Sequence, residues 1–126
     1  MTFVNNLPPN LIVKGNASLI YSIFRNLTDN AIAYAGENTT INLSACEGEN
    51  HTWHFIFSDN GSGVPHQHLA RLFERFYRVD KGRSRKMGGT GLGLAIVKNA
   101  VILHGGNIVA SNNIEGGLRF DFSIKK

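Results

Sequence analysis

Four glycines fall within the six residues Gly88-Gly89-Thr90-Gly91-Leu92-Gly93, and the helix-forming run Leu94-Ala95-Ile96-Val97-Lys98 follows at once. Glycine gives up more backbone entropy on folding than any other residue, so such a cluster marks a strained turn or a close approach of backbone to a ligand. A loop that opens a helix also presents N–H groups without intrahelical acceptors, at the positive end of the helix dipole. That combination suits a phosphate group. A flexible hinge ahead of a helix has the same composition, so the cluster alone leaves both readings open. Two phosphate motifs are excluded. A P-loop places Lys and Ser or Thr after its last glycine and follows a buried strand. Here Leu94 and Ala95 follow Gly93, and the upstream Lys81-Gly82-Arg83-Ser84-Arg85-Lys86 reads as charged loop. A dinucleotide fingerprint likewise needs a strand directly before its glycines.

The chain has 126 residues, 42% of them hydrophobic, enough for one core and a single domain over 1–126. The lone Cys46 excludes an internal disulfide and fits a reducing compartment. No apolar run approaches the roughly 20 residues of a membrane span, and no signal peptide is evident. The formal charge is +4, and much of the excess sits in Arg78, Lys81, Arg83, Arg85 and Lys86. A local basic run favours phosphate, in a nucleotide or a nucleic acid, or it is a solvated loop.

Apolar residues Ile20, Ile23, Phe24, Leu27, Ala31 and Tyr34 recur at helical spacing from about Ala17 to Ala35, and Gly36 stops that helix. Residues 3–14 read as an extended lead-in broken by Pro8-Pro9. Thr40 to Ala45 and Trp53 to Ser58 alternate, giving a hairpin across Glu47-Gly48-Glu49-Asn50. A short helix is expected over Leu69 to Tyr77, a polar Gly-rich loop over 78–90, and a second long helix over 92–104 closed by Gly105-Gly106. Two strands follow, about 107–112 and 118–125, the second alternating Leu118, Phe120, Phe122 and Ile124 with polar residues. A sheet with one apolar face covered by helices is an α+β sandwich.

On the first helix, at roughly 100° per residue, Asn26 and Asn30 lie one turn apart at an edge of the apolar stripe, while Asp29 points to solvent. Carboxamide oxygens are suitable hard ligands for Mg²⁺, which keeps several waters and binds substrate phosphates. Flank asparagines capping nearby backbone would fit the same pattern. Asp59-Asn60-Gly61-Ser62-Gly63 follows a strongly apolar strand. A carboxylate there can accept a hydrogen bond from an exocyclic amine, with glycines letting a ring approach. An ordinary turn has the same letters.

The order of four stretches is more specific than any one of them. Asn26-Leu27-Thr28-Asp29-Asn30-Ala31 comes first, and Asp59-Asn60-Gly61-Ser62-Gly63 second. Leu72-Phe73-Glu74-Arg75-Phe76-Tyr77-Arg78 is third, and Gly89-Thr90-Gly91-Leu92-Gly93-Leu94 last. Over about residues 15–125 the chain closely resembles the catalytic ATP-binding domain of bacterial two-component sensor histidine kinases, in the GHKL superfamily, with these stretches as its N, G1, F and G2 boxes.

That resemblance implies a Bergerat-type fold: α+β, a two-layer sandwich of a mixed, mainly antiparallel sheet covered on one face by helices. It implies ATP and Mg²⁺, with Asn30 as metal ligand and Asn26 beside it near the phosphates as a catalytic residue. Asp59, with Gly61 and Gly63, would take the adenine amine, and Tyr34 would line the cleft. Thr90, Gly91, Leu92 and Gly93 would face the phosphates. Phe73 and Phe76 would anchor a lid over about 64–90, or serve as plain core. Arg78 is the lid position expected to contact phosphate or the phosphoacceptor helix, with Lys81, Arg83, Arg85 and Lys86 weaker candidates.

Two departures stand out. The family usually carries Lys or Arg three residues after the metal-binding Asn, where this chain has Ala33. Its phosphoacceptor helical hairpin is missing, as are sensor domains. His51, His54, His66, His68 and His104 all lie elsewhere and read as surface or cap residues, and His66-Gln67-His68 is a weak metal pair. Hydrolysing relatives place a Glu base four residues before that Asn, where this chain has Asn26. The expected function is therefore γ-phosphate transfer to a histidine on the parent kinase's own dimerisation domain, with a response regulator downstream. The isolated domain would be monomeric and cytoplasmic, within a parent expected at the inner membrane. The rivals are a nucleotide-binding pseudokinase and an anti-sigma-factor-type serine kinase, which generally lacks the F-box lid. A nucleic-acid module is disfavoured because the aromatics alternate at core spacing in strands.

Overall fold

The computed structural model describes residues 1–36, 38–77 and 92–126. Five strands form one sheet: β1 Thr2–Asn6, β2 Thr40–Glu47, β3 Thr52–Asp59, β4 Ile108–Asn112 and β5 Leu118–Lys125. Their order is β1-β2-β3-β5-β4, with β1 parallel to β2 and every other neighbour pair antiparallel. Period-2 alternation puts Trp53, Phe55 and Phe57 of β3 and Leu118, Phe120, Phe122 and Ile124 of β5 on one buried face. The opposite face carries Asn42, His54, Ser58, Arg119, Asp121 and Ser123, and no described helix covers it.

Helix α1, Ala17–Tyr34, begins where the Asn16 side-chain oxygen accepts the Leu19 N–H at 3.0 Å. Its stripe Ile23, Leu27 and Ala31 is buried, and Gly36 beyond its end has a left-handed φ of 95°. Helix α3, Gly93–Leu103, lies beside it and buries Val97, Ala100 and Val101. Phe24 of α1 meets Phe55 and Phe122 edge-on at 5.8 Å each, while those two rings stack at 5.1 Å. This aromatic triad fastens the helical layer to the centre of the sheet. His104, capping α3, donates through Nδ1 to the Ala100 carbonyl at 2.7 Å and accepts the Asn16 N–H on Nε2 at 3.1 Å. One ring thereby ties the end of α3 to the start of α1.

One expected element is different. Helix α2 spans only His66–Leu69, after Pro65, and the chain continues in turns to Tyr77 rather than as a helix over 69–77. Its i+3 hydrogen bonds, Glu74 N–H to Arg71 and Tyr77 N–H to Glu74, do not propagate, and Phe76 sits at φ 66°. A left-handed aromatic residue cannot continue a right-handed helix.

Candidate active site

Helix α1 is the spine of the site. Near its middle the Asn26 amide donates through Nδ2 to the Ser22 carbonyl at 2.8 Å. That bond aims Oδ1 at the first residue of α3, and a β-carbon on Gly93 would lie 3.1 Å from it. Gly93 therefore sits close against the Asn26 side chain. No side chain caps α3 at Leu92. One turn on, Asn30 is half-buried, and no described residue hydrogen-bonds its carboxamide. Asp29 instead faces solvent and pairs with Arg25 at 3.2 Å. Tyr34 is half-buried at the last position of the helix.

The Asp59 turn meets the far end of the same helix. A β-carbon on Gly61 would stand 2.5 Å from the Ala35 carbonyl oxygen, so glycine is required for this approach. Asp59, the last residue of β3, is 8% exposed. Its Oδ1 accepts the Gly61 N–H at 2.9 Å and the Leu118 N–H at 3.2 Å. No described residue hydrogen-bonds Oδ2, and that oxygen is not sealed from solvent. Two backbone donors thus fix the carboxylate while one acceptor oxygen remains for a ligand. From Asn26 to Ala35 the helix advances about 14 Å. Asp59 and Gly93 therefore mark the two ends of one elongated surface along α1.

A family model, described as histidine kinase-, DNA gyrase B- and HSP90-like ATPase, matches residues 15–126. The chain belongs to this ATPase family. It is 42% identical over 125 residues to the sensor histidine kinase WalK of Bacillus subtilis, covering 97% of this chain and 20% of WalK. The catalytic domain of the histidine kinase ThkA superposes with a TM-score of 0.82 at 28% identity, covering 99% of this chain and 78% of that one. Full-length ShkA in complex with AMPPNP superposes with a TM-score of 0.79 at 26% identity, covering 98% of this chain and 25% of that one. The chain spans about a fifth of its curated relative.

In this histidine-kinase-type ATPase domain the five-stranded mixed sheet under helices is as expected. Asn26, Asn30, Tyr34, Asp59, Gly61, Leu92 and Gly93 come together along α1. Gly63 closes the Asp59 turn at φ 71°. Arg78, Thr90 and Gly91, like Lys81, Arg83, Arg85 and Lys86, lie outside the described residues. Phe73 packs on Phe120 at 6.0 Å, whereas Phe76 is 64% exposed. His68 instead bonds the Tyr77 hydroxyl, and among the described residues no group of three His, Cys, Asp or Glu is placed to hold a metal. No described helix is long and apolar enough to cross a membrane. Sequence reasoning missed Gly117 and Leu118, which contact Asp59 across the β4–β5 turn. The Gly116-Gly117 doublet was the visible signal for a close approach there.

Proposed function

We propose that this domain binds Mg-ATP and transfers the γ-phosphoryl group to a histidine on the dimerisation domain of its parent sensor kinase. The observation that carries this is the placement of Asp59 and Gly93 at opposite ends of the Asn26–Ala35 stretch of α1. The adenine amine donates to Asp59 Oδ2, the ring lies against Gly61, and the triphosphate runs along α1 toward Asn26 and the start of α3. Asn30 supplies a free carboxamide oxygen, a hard donor that fits Mg²⁺ alongside water and phosphate oxygens. The ion, when bound, neutralises phosphate charge.

Phosphoryl transfer relies on positioning and charge neutralisation more than on covalent work by the protein. An imidazole nitrogen of the acceptor forms the new N–P bond as the β–γ bridging P–O bond breaks, and ADP leaves. Asn26 carries no carboxylate to deprotonate water, which favours transfer over hydrolysis. The parent is read as a membrane sensor kinase that passes the phosphoryl group to a response regulator.

The test is a calorimetric titration with AMPPNP, with and without Mg²⁺, on the wild type and Asp59→Asn, beside an ATP turnover assay. The expected result is one-site binding, tighter with Mg²⁺ and lost in the variant, with little turnover. No binding at millimolar AMPPNP by the folded chain, or turnover at rates typical of an ATPase, would overturn the reading.

A further inference from the structure

Two adjacent asparagines on the β4–β5 turn hold both ends of the Asp59-to-Gly63 turn. Asn113 donates through Nδ2 to the Asp59 carbonyl at 3.1 Å. Asn112 makes a two-point contact with Val64, accepting its N–H at 3.1 Å and donating to its carbonyl at 2.6 Å. Between these points the Asn60 side chain accepts the Thr40 N–H at 2.7 Å. The β4–β5 turn does not need the Asn113 side chain for its own closure. Its backbone closes itself, Asn113 N–H to Gly117 O at 2.9 Å and Gly116 N–H to Asn113 O at 3.1 Å. Gly117, at φ 96°, brings the turn so close that a β-carbon would stand 1.9 Å from the Asp59 carbonyl oxygen. The next N–H, from Leu118, reaches the Asp59 carboxylate.

We propose that Asn112 and Asn113 are positioning residues that set base selectivity, by clamping the Asp59–Val64 turn in the shape that presents Asp59 to an adenine amine. This inference rests on the reading that Asp59 receives the nucleotide base. A carboxylate discriminates an amine from a carbonyl only if its free oxygen is held in place. A turn of six residues with two glycines has little stiffness of its own. The clamp supplies it from a separate hairpin, so its loss changes selectivity before it changes phosphate binding.

The experiment measures affinity of the chain for ATP, inosine triphosphate and inorganic triphosphate by calorimetry. Inosine carries a carbonyl where adenine carries its amine. The variants are Asn112→Ala, Asn113→Ala and Asn113→Asp, which keeps the side-chain size and removes the donor. Ile114→Ala, at a fully exposed neighbour in the same turn, is the control, and each thermal midpoint is recorded. The Asn113 variants should lower the ATP-to-inosine-triphosphate preference about fivefold, the worth of one hydrogen bond, and Asn112→Ala, which loses two, at least as much. Inorganic triphosphate affinity and Ile114→Ala should match the wild type. Equal losses for all three ligands would make the asparagines merely structural and overturn the proposal. So would unchanged preference in the clamp variants when Asp59→Asn abolishes it, an outcome that leaves the base reading intact. Undiminished preference in Asp59→Asn would remove the base reading itself and the clamp with it.

Discussion

The Asn26 side-chain oxygen lies 3.1 Å from the point a β-carbon on Gly93 would occupy, so helix α3 starts against the polar edge of α1. Alanine at a helix start would otherwise stabilise by about 0.4–1 kcal/mol through the unfolded chain. In Gly93→Ala the new methyl must displace the Asn26 amide, whose Nδ2 is committed to Ser22. The expected outcome is a folded protein with an unchanged or slightly higher thermal midpoint and AMPPNP affinity about fivefold lower. Affinity equal to wild type would detach Asn26 from the nucleotide.

Gly117→Ala should act on folding instead. Its φ of 96° strains any side chain, and the β-carbon would meet the Asp59 carbonyl oxygen at 1.9 Å. Left-handed strain and overpacking each cost roughly 1–3 kcal/mol. A urea titration should show a loss of about 2–6 kcal/mol. A loss below about 1 kcal/mol would mean that the β4–β5 turn moves freely relative to Asp59.

The Phe24, Phe55 and Phe122 triad makes a sharper stability test. Phe122 is 1% exposed and stacked on Phe55. Phe122→Ala should cost about 3–5 kcal/mol. Phe76→Ala, at an exposed ring, should stay within about 0.5 kcal/mol. Denaturant midpoints that ranked the two alike would contradict the layer packing.

Helix α1 was legible because its burial is periodic. Ile23, Leu27 and Ala31 make one stripe, Gly36 makes one stop, and the helix ends at Tyr34 within a residue of expectation. Strands β3 and β5 were legible for the same reason at period 2. The 69–77 segment was misread because Leu69, Leu72, Phe73 and Phe76 match a helical stripe. Its Phe73 ring is claimed by Phe120, distant in sequence, while Phe76 turns left-handed. At the site, the four stretches name candidate residues but not what holds them. Asn113 and Leu118 reach Asp59 across more than fifty positions of sequence, and no local pattern encodes such a contact.

On the open face of the sheet, Arg119 and His54 hold the Asp121 carboxyl below its ordinary range. The Arg119 guanidinium makes the largest contribution, through two hydrogen bonds of 2.8 Å, and His54 adds one of 2.9 Å. A depressed folded-state value stabilises above the unfolded carboxylate's range, about pH 4. That stability is lost as pH falls through the lower folded value. Because the cluster is partly exposed, its worth at neutral pH is about 1 kcal/mol or less. Asp121→Asn should therefore be slightly less stable than wild type at pH 7, with the gap closing toward pH 3. Urea midpoints across that range check it, and a gap that widened in acid would invert the sign.

Ala33 lies three residues after Asn30 and is half-buried on α1, one helical neighbour from the carboxamide. The sequence resemblance implies a basic side chain at this position, where this chain has alanine. If the triphosphate runs along α1, Ala33→Lys returns a cation to its flank. A long lysine stem can cover apolar surface while its ammonium reaches water and phosphate. AMPPNP affinity should rise a few-fold at low ionic strength, and the gain should shrink as salt approaches about 1 M, where screening falls to about 3 Å. The same titration with adenosine should show no gain, because adenosine carries no phosphate. Equal gains for both ligands would place the new charge away from the triphosphate and turn the proposed direction of the nucleotide along α1 around.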